Sequence, residues 1–213
     1  MCQIIRSSQS PKKKTVIVLG APRGGTSAVA GILRCLGIYM GENLGHQHED
    51  PIFKREVKTQ EKVQAISERN KRYDIWGWKM PNTVHYIEQV IPYLINPHFI
   101  AVYRDPLEIA KSSAKYDGRE LSMNLLNVPI NHYKKMHNFI NNDDNPLLVC
   151  SLHNIQYQPI CFAKIVAEFL GIPVNVNKLN LIEDFILRNG GYKKLNNFEI
   201  EYQIKHQDFS NES

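Results

Sequence analysis

The stretch TVIVLGAPRGGTSAVAGILRCLG, residues 15–37, constrains the fold more than any other part of the chain. TVIVLG (15–20) is apolar and β-branched without alternation, the pattern of a strand buried on both faces. From Thr26 onward, Val29, Ile32, Leu33 and Leu36 fall at i, i+3, i+4 and i+7, one face of a helix. Gly37 supplies a stop. Only residues 21–25 separate strand from helix, so the backbone must turn sharply, which Gly20, Gly24 and Gly25 permit. A buried strand feeding directly into a helix is the opening unit of a parallel α/β sheet.

The same alternation continues downstream. IWGWKM (75–80), HFIAVYR (98–104) and PLLVCSL (146–152) are expected strands. Expected helices are 52–72, 83–94 with Thr83 near its start, 121–142 kinked at Pro129, 159–171 stopped by Gly171, and 176–188. Pro106 opens a further helix at the position that tolerates proline. The predicted class is α/β: a three-layer sandwich with a mainly parallel central sheet, P-loop NTPase-like. The 213 residues suit one domain. We place it at 15–195, between a flexible basic segment, 1–14, and a polar tail, 196–213.

Bulk properties narrow the partners. The net charge of +5 favours anionic ligands mildly, and PKKK (11–14) reads as a solvated run rather than a nucleic-acid site. No apolar run approaches the roughly 18–20 residues that span a bilayer. The first residues lack the apolar core of a secretory signal. The expectation is a cytoplasmic protein with neither nucleic-acid nor membrane partner. Cys2, Cys35, Cys150 and Cys161 form no C-x-x-C pair, so no zinc or redox dithiol site is expected and no metal is called for. Cys35 and Cys150 fall in apolar runs, as small buried hydrophobes of a reducing compartment do.

Ligand crevices in open α/β sheets lie beyond the carboxyl ends of the strands. Three features fall there: the turn GAPRGGTS (20–27), Lys79 and Arg104. Gly24 and Gly25 let backbone approach a ligand, the helix start offers N–H groups and a positive dipole end, and Arg23, Thr26 and Ser27 add donors. That is an anion site suited to phosphate. Against the kinase loop G-x-x-x-x-G-K-[ST], Gly20 and Gly25 keep the spacing, but Thr26 stands where the lysine belongs. Arg104 ends one strand with a fork of phosphate donors, and Ser112 follows two helical turns later. Alone, Arg104 is better explained by pairing with Asp105 or Glu108, and Ser112 as a helix-surface residue.

PRGGTS (22–27) followed by YRDPLEIAKSS (103–113) resembles the two nucleotide signatures of sulfotransferases that use 3′-phosphoadenosine 5′-phosphosulfate (PAPS). WGWKMP (76–81) is similar to the G-W-K-x-P found between them, and IVAEFLGIP (165–173) to the late helix of that family. The resemblance implies that Arg23, Gly24, Gly25, Thr26 and Ser27 bind the 5′-phosphosulfate, and that Arg104 and Ser112 bind the 3′-phosphate. PAPS would be the donor and 3′-phosphoadenosine 5′-phosphate (PAP) the product, with no metal required. The donor has no γ-phosphate, which accounts for the absent lysine. Arg23 and Lys79 would stabilise the charge on the leaving oxygen.

The base is less sharply marked. GHQHEDP (45–51) gathers His46, His48, Glu49 and Asp50. Either imidazole or carboxylate can serve as a general base. Glu49 is the first choice, His48 and Asp50 stand behind it, and His85 is an outside candidate. The same four residues also read as a metal cluster or as a plain polar loop. Met80 and Asn82 depart from the Asp and Arg common in relatives, and LLVCSLHNI lacks their Tyr-Glu. The stretch LRNGGYKK (187–194) is loosely similar to a basic loop over the nucleotide, through Arg188, Lys193 and Lys194. The expected function is sulfuryl transfer to a hydroxyl or amine of a small acceptor. The alternatives are a P-loop nucleotide or small-molecule kinase and a non-catalytic nucleotide-binding relative.

Overall fold

A computed structural model describes residues 2–7, 12–187, 191–193 and 195. Its centre is a five-stranded sheet in the order β1-β5-β4-β2-β3, formed by β1 (Cys2–Arg6), β2 (Lys14–Gly20), β3 (Ile75–Lys79), β4 (Pro97–Tyr103) and β5 (Leu147–Ser151). All neighbours are parallel except β1, which runs antiparallel to β5. The flexible segment expected at 1–14 is corrected in part: Cys2–Arg6 is an edge strand. Its partner is distant in sequence, with Cys2 paired to Cys150, a separation that local pattern does not register.

Side chains alternate across the sheet, so each strand feeds two cores. On one face Val16, Val18, Ile100, Val102, Leu148 and Cys150 pack with α1 (Thr26–Cys35), α7 (Pro159–Leu170) and α8 (Val176–Phe185). On the other, Ile17, Leu19, Phe99, Ala101, Leu147, Trp76 and Trp78 pack with α2 (Thr59–Arg72), α3 (Ile87–Val90) and α5 (Met123–Asn141). These are the three layers expected. The remaining helices are α4 (Pro106–Asp117) and α6 (Leu152–Tyr157).

Two expected helices differ. The stretch 83–94 is not one helix: 3₁₀ turns Pro81–His85 and Ile91–Tyr93 flank the single turn α3. Pro81 and Pro92 remove donors, and Thr83 turns its hydroxyl inward to accept from the Trp78 indole at 3.0 Å. The stretch 52–72 is helical only from Thr59; Asp50 caps a short 3₁₀ turn, Pro51–Phe53, and Lys58 is extended. Other stops fall as expected, with Gly37 (φ 91°) after α1 and Gly171 (φ 63°) after α7.

β2 is the pivot. From it the chain passes to β3 on one side, and later through β4 to β5 on the other. Loops leaving β2 and β4 therefore diverge and open a crevice between their carboxyl ends. The closeness of β2 and β3 depends on Gly77. A Cβ there would overlap the carbonyl of Val16, and the Gly77 N–H donates to the Tyr39 carbonyl at 2.8 Å. We expect Gly77→Ala to cost about 1–3 kcal/mol through forced strand separation. Urea unfolding tests this: the midpoint should fall without a change in slope, and an unchanged midpoint would contradict the packing described.

Candidate active site

The turn after β2 is built by its backbone. Arg23 sits in the left-handed region at φ 63° and Gly25 at φ 93°. The Gly24 N–H closes the turn on the Ala21 carbonyl at 2.8 Å. Gly25 is pressed against Leu152 of α6 so closely that a Cβ would collide with it. α1 begins with neither a side-chain cap nor an acid in its first turn, so its positive end is left for a ligand. Thr26 is 3% exposed, and its methyl lies under Gly20. The kinase-lysine position is thus packed inward, and cations arrive from neighbouring elements instead.

Most of the turn, though not Gly24, lines a cavity of about 370 Å³. Its walls include Arg23, Gly25, Thr26 and Ser27 from the turn, Lys79 at the end of β3, Pro81 just beyond it, Arg104 after β4, and Ser112 on α4. Gln47 and Glu49 come from the loop before α2. The two signature segments touch directly. The Arg104 guanidinium donates to the Arg23 carbonyl at 2.9 Å, and Arg23 Nε donates to Ser112 Oγ at 3.3 Å while its guanidinium lies 4.5 Å over the Tyr116 ring. Arg104 also reaches Glu108, at 4.0 Å between two partly exposed side chains. Asp105 does not pair with it; it caps α4 through the Glu108 N–H. Tyr133 of α5 accepts from the Arg104 N–H and donates to its carbonyl, fixing the end of β4.

Lys79 is 2% exposed, and burial lowers its pKa against the opposing pull of Glu49. Its ammonium donates to Glu49 Oε1 at 2.8 Å and to the Gln47 carbonyl at 3.0 Å. Loop residues 47–50 alternate. Gln47 and Glu49 face the cavity, while His48 and Asp50 turn into the protein, each 2% exposed. His48 accepts from Arg34 at 2.9 Å through Nδ1. Burial, with the charges of Arg34, Lys79 and His46, pushes its pKa down to about 3, so it is a neutral acceptor. Asp50 pairs with Arg69 at 2.7 Å and caps Pro51–Phe53; burial raises its pKa while Arg69 draws it down.

Of the base candidates, Glu49 alone among His46, His48, Glu49, Asp50 and His85 lines the cavity. The His46 ring lies 5.1 Å from that of Tyr192 and tilted to it, and His85 lies 3.3 Å from Lys135. Among the described residues no three His, Cys, Asp or Glu side chains gather as a metal cluster. Gln156, Leu152 and Tyr192 also line the cavity. Tyr192 belongs to the stretch expected to cover the nucleotide and is held by a bridge to Ile186. Arg188 and Lys194 lie outside the described residues. Nothing in the sequence marks Gln156, whose place depends on where α6 packs.

No family model matches the chain, and neither does any curated protein. Solved structures do. The sulfotransferase domain of an olefin synthase from Synechococcus superposes with a TM-score of 0.59 at 13% identity, covering 83% of this chain and 80% of that one. The sulfotransferase domain from the curacin biosynthetic pathway gives 0.55 at 14%, covering 81% and 78%. A mouse sulfotransferase complexed with PAP gives 0.53 at 16%, covering 81% of this chain and 64% of its own. The chain has the sulfotransferase fold. Within that fold, the cavity opens at the β2/β4 divergence, with both signature segments on its walls. No helix among the described residues is long and apolar enough to cross a membrane.

The buried neutral imidazole generates a pH dependence. In the unfolded chain His48 takes up its proton near pH 6.5, whereas the folded chain resists until about 3. The unfolded state therefore binds more protons across that window, and stability falls as pH drops through it. His132, lowered to about 4 chiefly by burial, acts in the same sense. His48 alone should cost about 2 kcal/mol between pH 7 and pH 5. Urea midpoints measured across this range should fall more gently in His48→Gln; parallel curves for the two proteins would refute the buried neutral state.

Proposed function

We propose that this chain is a sulfotransferase that moves a sulfuryl group from PAPS to a hydroxyl or amine of a small acceptor. One observation carries the reading. Arg23, Lys79, Arg104 and Ser112, drawn from three separate segments, line a single cavity at the uncapped start of α1. Its size is that of a small-ligand pocket. Among the described residues, three cations against the single carboxylate Glu49 suit a ligand with anionic groups at both ends.

The residues divide the work by position. Backbone N–H groups at the start of α1, with Ser27 and Thr26, would hold the 5′-phosphosulfate. Arg104 and Ser112 would hold the 3′-phosphate. Lys79 would sit at the oxygen that carries charge as the sulfur–oxygen bond breaks, joined there by Arg23. A donor preset where charge develops is worth about 3–4 kcal/mol. Arg23 stays protonated and acts by hydrogen bonding. Lys79 begins already desolvated and bound to Glu49, which lowers the reorganisation needed in the reaction. Glu49, at the cavity wall, would take the proton from the acceptor as it attacks sulfur in line.

Calorimetric titration with PAP and with ATP, each with and without magnesium, tests the donor. PAP should bind without metal, and Arg104→Ala should weaken it by about 10–100-fold, the loss of a charged hydrogen bond. Binding of ATP with magnesium alone would make the kinase reading correct. For the chemistry, Lys79→Met should lower kcat by about 10²–10³ and Glu49→Gln by about 10²–10⁴, both with PAP still bound. A protein that binds PAP yet turns over no acceptor in a broad panel would be the non-catalytic relative.

A further inference from the structure

β1 and β5 are antiparallel, and their register sets Cys2 opposite Cys150. Residues opposed across an antiparallel pair have Cα atoms about 4.5 or 5.5 Å apart. Both spacings fall within the roughly 4.4–6.8 Å that a disulfide spans. Opposed residues also project to the same face, so the two thiols face each other, and each is the chief influence on the other's titration. Cys2 packs against the apolar cluster that contains Cys150. Both cysteines are free. We propose that Cys2 and Cys150 are a dithiol that closes to a cross-strand disulfide when the protein meets a small oxidised disulfide. The site is separate from the cavity and independent of what the cavity binds.

The two sulfurs are unequal, which sets the order of events. Cys2 is half-buried at the sheet edge, and the neighbouring Cys150 holds its thiol below the ordinary range despite some burial. Cys150 is 1% exposed, with Sγ 3.6 Å from the Ala101 carbonyl. The neighbouring Cys2, followed by burial, pushes its thiol well up. Cys2 is therefore the thiolate that meets the oxidant. It bonds to one sulfur of the small disulfide and expels the other as a thiolate. Cys150 then passes its proton to that thiolate, attacks the Cys2 sulfur and expels the second small thiol. Two protein thiols and one small disulfide become one protein disulfide and two small thiols.

The cross-link would act on a strand that needs it. β1 has five residues and a register irregularity between Ile4 and Arg6, so few ladder bonds hold it. Closing residue 2 onto residue 150 restricts most of the unfolded chain, the case in which a disulfide stabilises most.

The test uses the full chain and its Cys161→Ser variant, which removes the one exposed cysteine among the described residues. Each is incubated with oxidised glutathione, alkylated, digested and analysed by mass spectrometry. The expected product is a monomer with a single Cys2–Cys150 link, reversed by dithiothreitol. Its thermal midpoint should rise by on the order of 5–15 °C. Cys2→Ser, a change at the sheet edge, should abolish that shift and leave Cys150 closed to maleimide until the protein is unfolded. A stable glutathione adduct on Cys2, full alkylation of both cysteines, or links only between chains would each overturn the proposal.

Discussion

The buried ammonium of Lys79 is the constraint on which the rest of the site depends. A desolvated charge is tolerated only when partners surround it. Here they are the Gln47 carbonyl and the Glu49 carboxylate, so the loop before α2 must lie against the end of β3. Loop geometry does the rest. With Glu49 turned to Lys79, His48 and Asp50 must point the other way, and each meets a cation: Arg34 from α1 and Arg69 from α2. Three consecutive residues are thus pinned by three different elements. Arg69 is itself held among the rings of Tyr39, Phe53 and Trp76. The carboxylate on the cavity wall is positioned by contacts mostly outside the cavity.

The turn after β2 shows the same economy. A kinase loop carries its lysine at the first residue of the helix. Here Thr26 fills that place with a methyl packed under Gly20, and the charge is supplied from β3, from β4 and from within the turn. The arrangement requires the strand ends to be fixed relative to one another. Tyr133 clamps both backbone groups of Arg104, and Arg104 binds the carbonyl of Arg23. A chain of hydrogen bonds therefore runs from α5 through the end of β4 into the turn.

Most of the sheet was legible in the sequence because β2, β4 and β5 are buried on both faces and read as unbroken apolar runs. The cavity walls at Arg23, Lys79 and Arg104 were legible for a related reason, each being tied to the end of a legible strand, whereas Ser112, two turns into α4, was marked only by the family resemblance. The loop 45–51 was not. Four polar residues in a row carry no apolar marker to set which ones face inward, so Glu49 could be ranked ahead of His48 and Asp50 but not separated from them by burial. Their difference comes from Arg34 and Lys79, which are distant in sequence. The stretch 83–94 misled because its apolar spacing is helical while its prolines and the inward hydroxyl of Thr83 favour tighter turns. Gln156 and Tyr192 reach the cavity only through the packing of α6 and the bridge at Ile186.

The antiparallel strand β1 has a consequence for the behaviour of the chain at high concentration. Without it the outermost strand on that side would be β5, whose LLVC sequence is apolar and unbroken by charge or proline. A flat apolar edge with free N–H and C=O groups is a template on which another chain can add a strand. β1 replaces that edge with one irregular in register and ending in Arg6, which is tied back to the Asn145 and Ile140 carbonyls. On the opposite side Tyr39 takes the Gly77 N–H and interrupts the free edge of β3. Both margins of the sheet are thus irregular, a poorer template for strand addition than a bare β5 edge would be.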